Sequence, residues 1–240
     1  MLFMTAVEEL FKSLTDTASR DGARSDARAP GSIFSFVPAH GGCRAGAVAQ
    51  QLSRTLTEGL AASVLLADFD RRAYSVWSPN EAPRRLDGRT WGAFVSHVDG
   101  ISVLNAREVH PRHLPGLLDY ARKHFSIVCA DLTGAREGHA SAVLRASDAI
   151  FLVSGSDGAS IEGAREKMEW LQSIDLADRC GILLEHTPHG RSAAEVEDLT
   201  GTAVSGLVEN GAQIRAVARW LAANSPAAIN AVDDSEYAVA

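Results

Sequence analysis

The chain is 240 residues long, 46% hydrophobic and 22% charged, which is ordinary globular composition and enough for one α/β domain with a substantial core. Its formal net charge of −7 gives it no overall attraction to nucleic acid or to an anionic membrane. No apolar run approaches the roughly 20 residues that span a bilayer, and the first residues lack the basic start and long apolar centre of a signal peptide, so a cytoplasmic protein with no direct membrane insertion is expected.

In chain order, Thr5 to Leu14 reads as a short amphipathic helix with Val7, Leu10, Phe11 and Leu14 on one face, opened by the capping pair Thr5 and Glu8. Ser19 to Gly31 is a polar linker. Ser32 to Val37 is an apolar, β-prone strand, followed by a loop, Pro38 to Gly46, that holds Gly41, Gly42 and Gly46. From Ala47 the pattern turns helical, with Val48, Leu52, Leu56 and Leu60 four apart. Ser63 to Ala67 is a second strand, ending on Asp68 and Asp70. A polar, proline-containing segment then runs to Asp87, and the pattern predicts a helix over Thr90 to Val98 and a strand over Ile101 to Leu104.

The second half continues the alternation. Helices are expected at Leu114 to His124, Ala142 to Ser147 and Ser160 to Ser173, the last with Trp170 in the core. Strands are expected at Phe125 to Ala130 (ending at Asp131), Ala149 to Val153 and Gly181 to Leu184. Ala193 to Ala222 reads as a helix, a short strand at Val204 to Val208 and a closing helix through Trp220. From Asn224 the chain is small, polar and acidic, and disorder is expected. Three parts follow: 1–31 as helix and linker, 32–222 as the folded domain, and 223–240 as tail. The fold class is α/β, a doubly wound, mainly parallel sheet with helices on both faces.

The chemistry-bearing residues exclude several classes. Cys43, Cys129 and Cys180 are an odd set without metal-type spacing, best read as reduced thiols. His110 with His113, and His186 with His189, lack a Cys or carboxylate constellation and read as surface loop histidines, so no metal site is expected. His40 differs in lying inside the glycine loop. No G-x-S-x-G elbow or Ser/His/Asp arrangement is present.

Strand, glycine loop, helix, strand is the βαβ layout in which a loop and helix N-terminus receive phosphate. Ser32 to Asp70 resembles the nucleotide-binding core of the ParA/MinD-like P-loop ATPases, with their deviant Walker motif. Within them it looks closest to the bacterial tyrosine kinases of capsule and exopolysaccharide synthesis. Their loop reads PGEGKST, and the matching run here is Gly41-Gly42-Cys43-Arg44-Ala45-Gly46-Ala47. The second glycine survives as Gly42. Ala45 stands in place of the phosphate-binding lysine and Gly46 in place of the Mg²⁺-binding hydroxyl residue. The kinases' D-x-D-x-R motif is kept in full as Asp68-Phe69-Asp70-Arg71-Arg72, and their Walker B aspartate as Asp131, with Gly134 where a proline is usual.

The resemblance also implies that Glu185 stands where an asparagine reads adenine, and Glu209 near the proline that packs beside the base. Glu9 and Lys12 keep two places of the E-x-x-R-x-x-R pattern through which the kinases assemble into rings, although that spacing equally suits an ordinary solvated helix face. Only Tyr237 remains of the tail tyrosines. The expectation is a degenerate kinase-like protein with little or no ATP binding and no cofactor, in which Asp68, Asp70 and Asp131 are vestigial. It would act beside a membrane polysaccharide chain-length or export protein, or beside an active paralogue, and be recruited to the inner membrane by that partner. Alternatives are a working ATPase or tyrosine kinase, using Mg-ATP through Arg44 or a partner's residue, and a ParA/MinD-like positioning factor for a cell-surface machine.

Overall fold

The computed structural model describes residues 29–60, 62–70, 91–185 and 189–226. The amphipathic helix with Glu9 and Lys12, the arginines Arg71 and Arg72, His186 and residues 227–240 with Tyr237 lie outside them, whereas Ser225, in the stretch expected to be disordered, is buried and donates its hydroxyl to the Ser126 carbonyl at 2.9 Å. The described chain builds one eight-stranded sheet: β1 (Ser32–Pro38), β2 (Val64–Asp68), β3 (Val95–Val98), β4 (Ile101–Asn105), β5 (Ile127–Asp131), β6 (Ala149–Gly155), β7 (Cys180–Glu185) and β8 (Val204–Leu207). Their order across the sheet is β3-β4-β2-β5-β1-β6-β7-β8, parallel throughout except for β3 against β4. The central strands are apolar on both sides, because helices cover both faces.

Those helices are α1 (Ala45–Leu60), α2 (Leu114–His124), α3 (Glu137–Ala146), α4 (Gly158–Ser173), α5 (Ala193–Thr200) and α6 (Gly211–Ala223). On one face Val48, Leu52 and Leu56 of α1 and Ile214, Val217 and Leu221 of α6 pack on Phe34, Phe36, Leu66, Cys129 and Phe151. On the other, α2 to α5 bury Leu117, Leu144, Met168 and Val196 against Ile33, Leu65, Val128 and Ile150. At roughly 25 cal/mol per Å² of apolar surface removed from water, these two layers are the main force holding the sheet. α5 and α6 each start with a full capping box, Ser192 with Glu195 and Asn210 with Gln213.

The expected alternation is found, with three corrections. The helix expected at Thr90 to Val98 is instead a 3-10 turn (Trp91–Phe94) followed by β3. Asp99 and Gly100, at φ 47° and 80°, form a two-residue hairpin turn that folds β3 back on β4, pairing Val98 with Ile101 and Val95 with Leu104. An Asp-Gly pair between short apolar runs is a hairpin signal, and it outweighs the weak helical spacing before it. α3 starts at Glu137, earlier than the apolar stripe suggests. Trp170 is only half buried and walls a cavity instead of filling the core.

Candidate functional site

β1 sends the chain toward β2, while its neighbour β6 sends it toward β7. The loop after β1 therefore lies at the topological switch point above the carboxyl ends of the strands, where open α/β sheets bind ligands. Gly41, Gly42, Arg44, Ala45 and Gly46 all belong to this loop or to the first turn of α1, which begins at Ala45, two residues before the expected start. Gly41 and Gly42 are exposed, Ala45 is fully buried and Gly46 half-buried. The Arg44 carbonyl accepts the first helical bond, from the Val48 N–H at 3.0 Å.

The loop's polar groups are engaged by its own side chains and by α4. The Gly42 N–H donates to His40 Nδ1 at 3.0 Å, which leaves Nε2 to carry the ring proton and donate to Ser160 Oγ at 2.9 Å. The Ser160 hydroxyl in turn donates to Asp157 Oδ2 at 2.6 Å, and these bonds hold the Asp157 carboxyl below its ordinary pKa. Asp157 is also the N-cap of α4, accepting from the Ser160 N–H. Ala39 and Cys43 pack on Ala164, and a Cβ added at Gly163 would lie 2.7 Å from the Ala39 carbonyl oxygen. The loop thus rests directly on α4. His40 was visible as a polar residue inside the loop. Ser160 and Asp157 were not singled out, although the Ser-Asp-Gly run before α4 is a helix-start signal.

Arg44 is turned away from the strand-end acids. Its Nε and Nη2 donate to Glu185 Oε1 at 2.9 and 2.8 Å, and its backbone N–H faces Oε2 at 3.4 Å. Glu185 ends β7 and its side chain is 12% exposed, against 72% for Arg44. Two residues 141 apart in sequence, each at a position where the resemblance leads one to expect something else, meet here across the mouth of α1.

The acids lie on the α1 side of the sheet. Asp68 and Asp131 are in register on adjacent strands, and Asn105 is in register with Asp68 on the next. All three belong to the alternation that buries Val64 and Leu66, Ile127 and Cys129, and Ile101 and Val103 under α1. Asp70 lies two residues on, its N–H donating to Asp68 Oδ1 at 2.8 Å. The Asp131 pKa is raised from 3.8 to about 6: burial drives it, Thr133 donors oppose it, and the neighbouring charges of Asp68 and Asp70 add to it. Asp131 also reaches the first turn of α1. A Cβ built on Gly46 would lie 2.6 Å from its Oδ2.

Among the described residues no group of three or more His, Cys, Asp or Glu side chains is arranged to hold a metal. His110 and His113 flank the 3-10 turn before α2, with His110 Nδ1 accepting from the Arg112 N–H. No described helix is long and apolar enough to cross a membrane.

No protein-family model matches the chain, and no curated protein matches it in sequence. Solved structures do. A ParA family ATPase from Chlorobium tepidum is 17% identical and superimposes with a TM-score of 0.65, covering 84% of this chain and 91% of that one. The MinD cell division protein of Aquifex aeolicus is 13% identical at a TM-score of 0.60, covering 84% and 97%. The fold is that of the ParA/MinD ATPases. A plasmid partition protein of Borrelia burgdorferi, solved with AMPPNP, has it too, at 13% identity, a TM-score of 0.59 and coverage of 75% and 87%. On the ParA/MinD fold, the loop after β1 and the ends of β2, β5 and β7 are the parts that bring Arg44, Asp68, Asp131 and Glu185 to one edge of the sheet.

Proposed function

We propose that this chain is a non-catalytic protein on the ParA/MinD fold, acting through a protein partner and not through nucleotide. The observation that carries this reading is the Arg44–Glu185 pair. A P-loop receives phosphate through backbone N–H groups, a lysine and a Mg²⁺-holding hydroxyl. Here a carboxylate already faces the Arg44 N–H and takes the loop's cation. Ala45 brings no ammonium, Gly46 brings no hydroxyl, and the Gly42 N–H is taken by His40. At the same edge the carboxylates of Asp68, Asp70 and Asp131 disfavour a polyphosphate. The residues present do not fit Mg-ATP.

The retained Asp68-Phe69-Asp70-Arg71-Arg72 run supports a kinase-like ancestry, and with it a role in exopolysaccharide synthesis or export. The partner would be the cytoplasmic part of a membrane chain-length or export protein, or an active paralogue. A second reading, a positioning factor for a cell-surface machine, is favoured by the likeness in fold to MinD and to plasmid partition proteins. Neighbouring genes separate the two: polysaccharide genes favour the first, polar or pilus genes the second. Calorimetric titration with Mg-ATP and Mg-ADP tests what they share. Negligible heat is expected, along with no phosphate on Tyr237 after incubation with ATP and Mg²⁺. Micromolar binding would overturn the nucleotide-free reading and favour a working enzyme in which Arg44 leaves Glu185.

A further inference from the structure

A cavity of about 410 Å³ opens on the face of the sheet opposite α1, between the end of β1, the loop after β5, α3 and α4. It takes no part in the site described above. Its floor is apolar, made by Val37, Leu132 and Leu144, all core residues. One wall is the half-buried indole of Trp170. Gly134 forms part of the lining and turns the loop at φ 68°, a turn closed to a proline, whose ring holds φ near −65°.

Among the described residues, the ionisable ones of the lining are Glu137, from α3, and Lys167, from α4. Both are exposed. Among the described residues they do not pair with each other, and neither forms an ion pair or hydrogen bond with another described side chain. Lys167 instead holds its ammonium 5.7 Å from the centre of the Trp170 ring. A pocket of this size with an apolar floor and a few polar groups at its mouth is the usual form of a small-molecule site. Lys167, Glu137 and the indole of Trp170 suit a ligand with an anionic group, a cationic group and a flat apolar body.

We propose that this cavity binds an aromatic α-amino acid or a closely similar zwitterion. The ring lies against Trp170, the carboxylate meets Lys167 and the ammonium meets Glu137.

The probe is L-phenylalanine, titrated into the full chain and followed by calorimetry and by intrinsic tryptophan fluorescence, with 3-phenylpropionate and phenethylamine as partners lacking one charge each. One-to-one saturable binding is expected for phenylalanine, with roughly ten-fold weaker binding for each one-charge analogue, the usual worth of a charged hydrogen bond. Lys167→Met and Glu137→Gln should each weaken phenylalanine by a similar factor. Glu137→Gln should leave 3-phenylpropionate unchanged, and Lys167→Met should leave phenethylamine unchanged. Both side chains are exposed, so the variants should melt with the wild type, and the analogues probe the same contacts on unaltered protein. Absence of saturation in the millimolar range overturns the proposal. So does equal binding of phenylalanine and 3-phenylpropionate, or indifference to both substitutions.

Discussion

Replacing Asp131 by asparagine should stabilise the protein at neutral pH and leave it unchanged in acid. The folded-state pKa is raised from 3.8 to about 6, so the native state holds this proton more tightly than the unfolded chain. Stability linked to the group is therefore fully present below about pH 4, lost as pH rises toward and through the folded pKa, and level above it. A rise of that size corresponds to about 3 kcal/mol at most. The Thr133 N–H bond to Oδ1, at 2.9 Å, can be kept by the asparagine carbonyl, while the new amide must find acceptors of its own. A net gain of roughly 1–2 kcal/mol remains at pH 7.5. Urea unfolding of both proteins at acid and neutral pH measures it directly. A difference that does not grow with pH would refute the buried-carboxylate account, as would a mutant less stable at neutral pH. A Mg²⁺-dependent rise in melting temperature that Asp131→Asn abolishes would show that these acids hold a metal, against the nucleotide-free reading.

Two glycines of α1 should respond to alanine with opposite signs. Gly59→Ala meets nothing within 4 Å and should gain up to about 1 kcal/mol from helix propensity, whereas Gly46→Ala sets its Cβ 2.6 Å from Asp131 Oδ2 and should lose roughly 1–3 kcal/mol in thermal melts. Arg122→Ala should cost about 2–3 kcal/mol in urea unfolding, because its guanidinium donates to the Gly31 and Ala146 carbonyls at 2.7 and 2.6 Å; its pair with Asp148, 41% exposed, adds little. Burial pushes the Cys129 and Cys180 thiols up to about 12, so an alkylating reagent at pH 8 should leave both unmodified in the native protein and reach them only on unfolding, as read by mass spectrometry.

The order of strands and helices was legible because burial leaves a local trace. β5 and β6 are unbroken apolar runs, since helices cover both their faces, and α1 shows its buried stripe at Val48, Leu52 and Leu56. The positions of Asp68 and Asp131 at strand ends were legible for the same reason, and parallel pairing of β2 with β5 then sets them side by side. β3 was missed because four residues are too few to separate strand from helix, and only pairing with β4 decides between them. Where the side chains of the loop point was beyond the sequence. Arg44 was given a role only toward Mg-ATP in the working-enzyme alternative, and it binds Glu185, 141 residues on, because β7 ends close enough to the loop. His40 finds Ser160 because α4 packs under the loop, and Gly46 meets Asp131 because α1 lies over β5. Local pattern reports how deeply a residue is buried. Which distant residue it meets depends on strand order and helix packing, which exist only once the chain has folded.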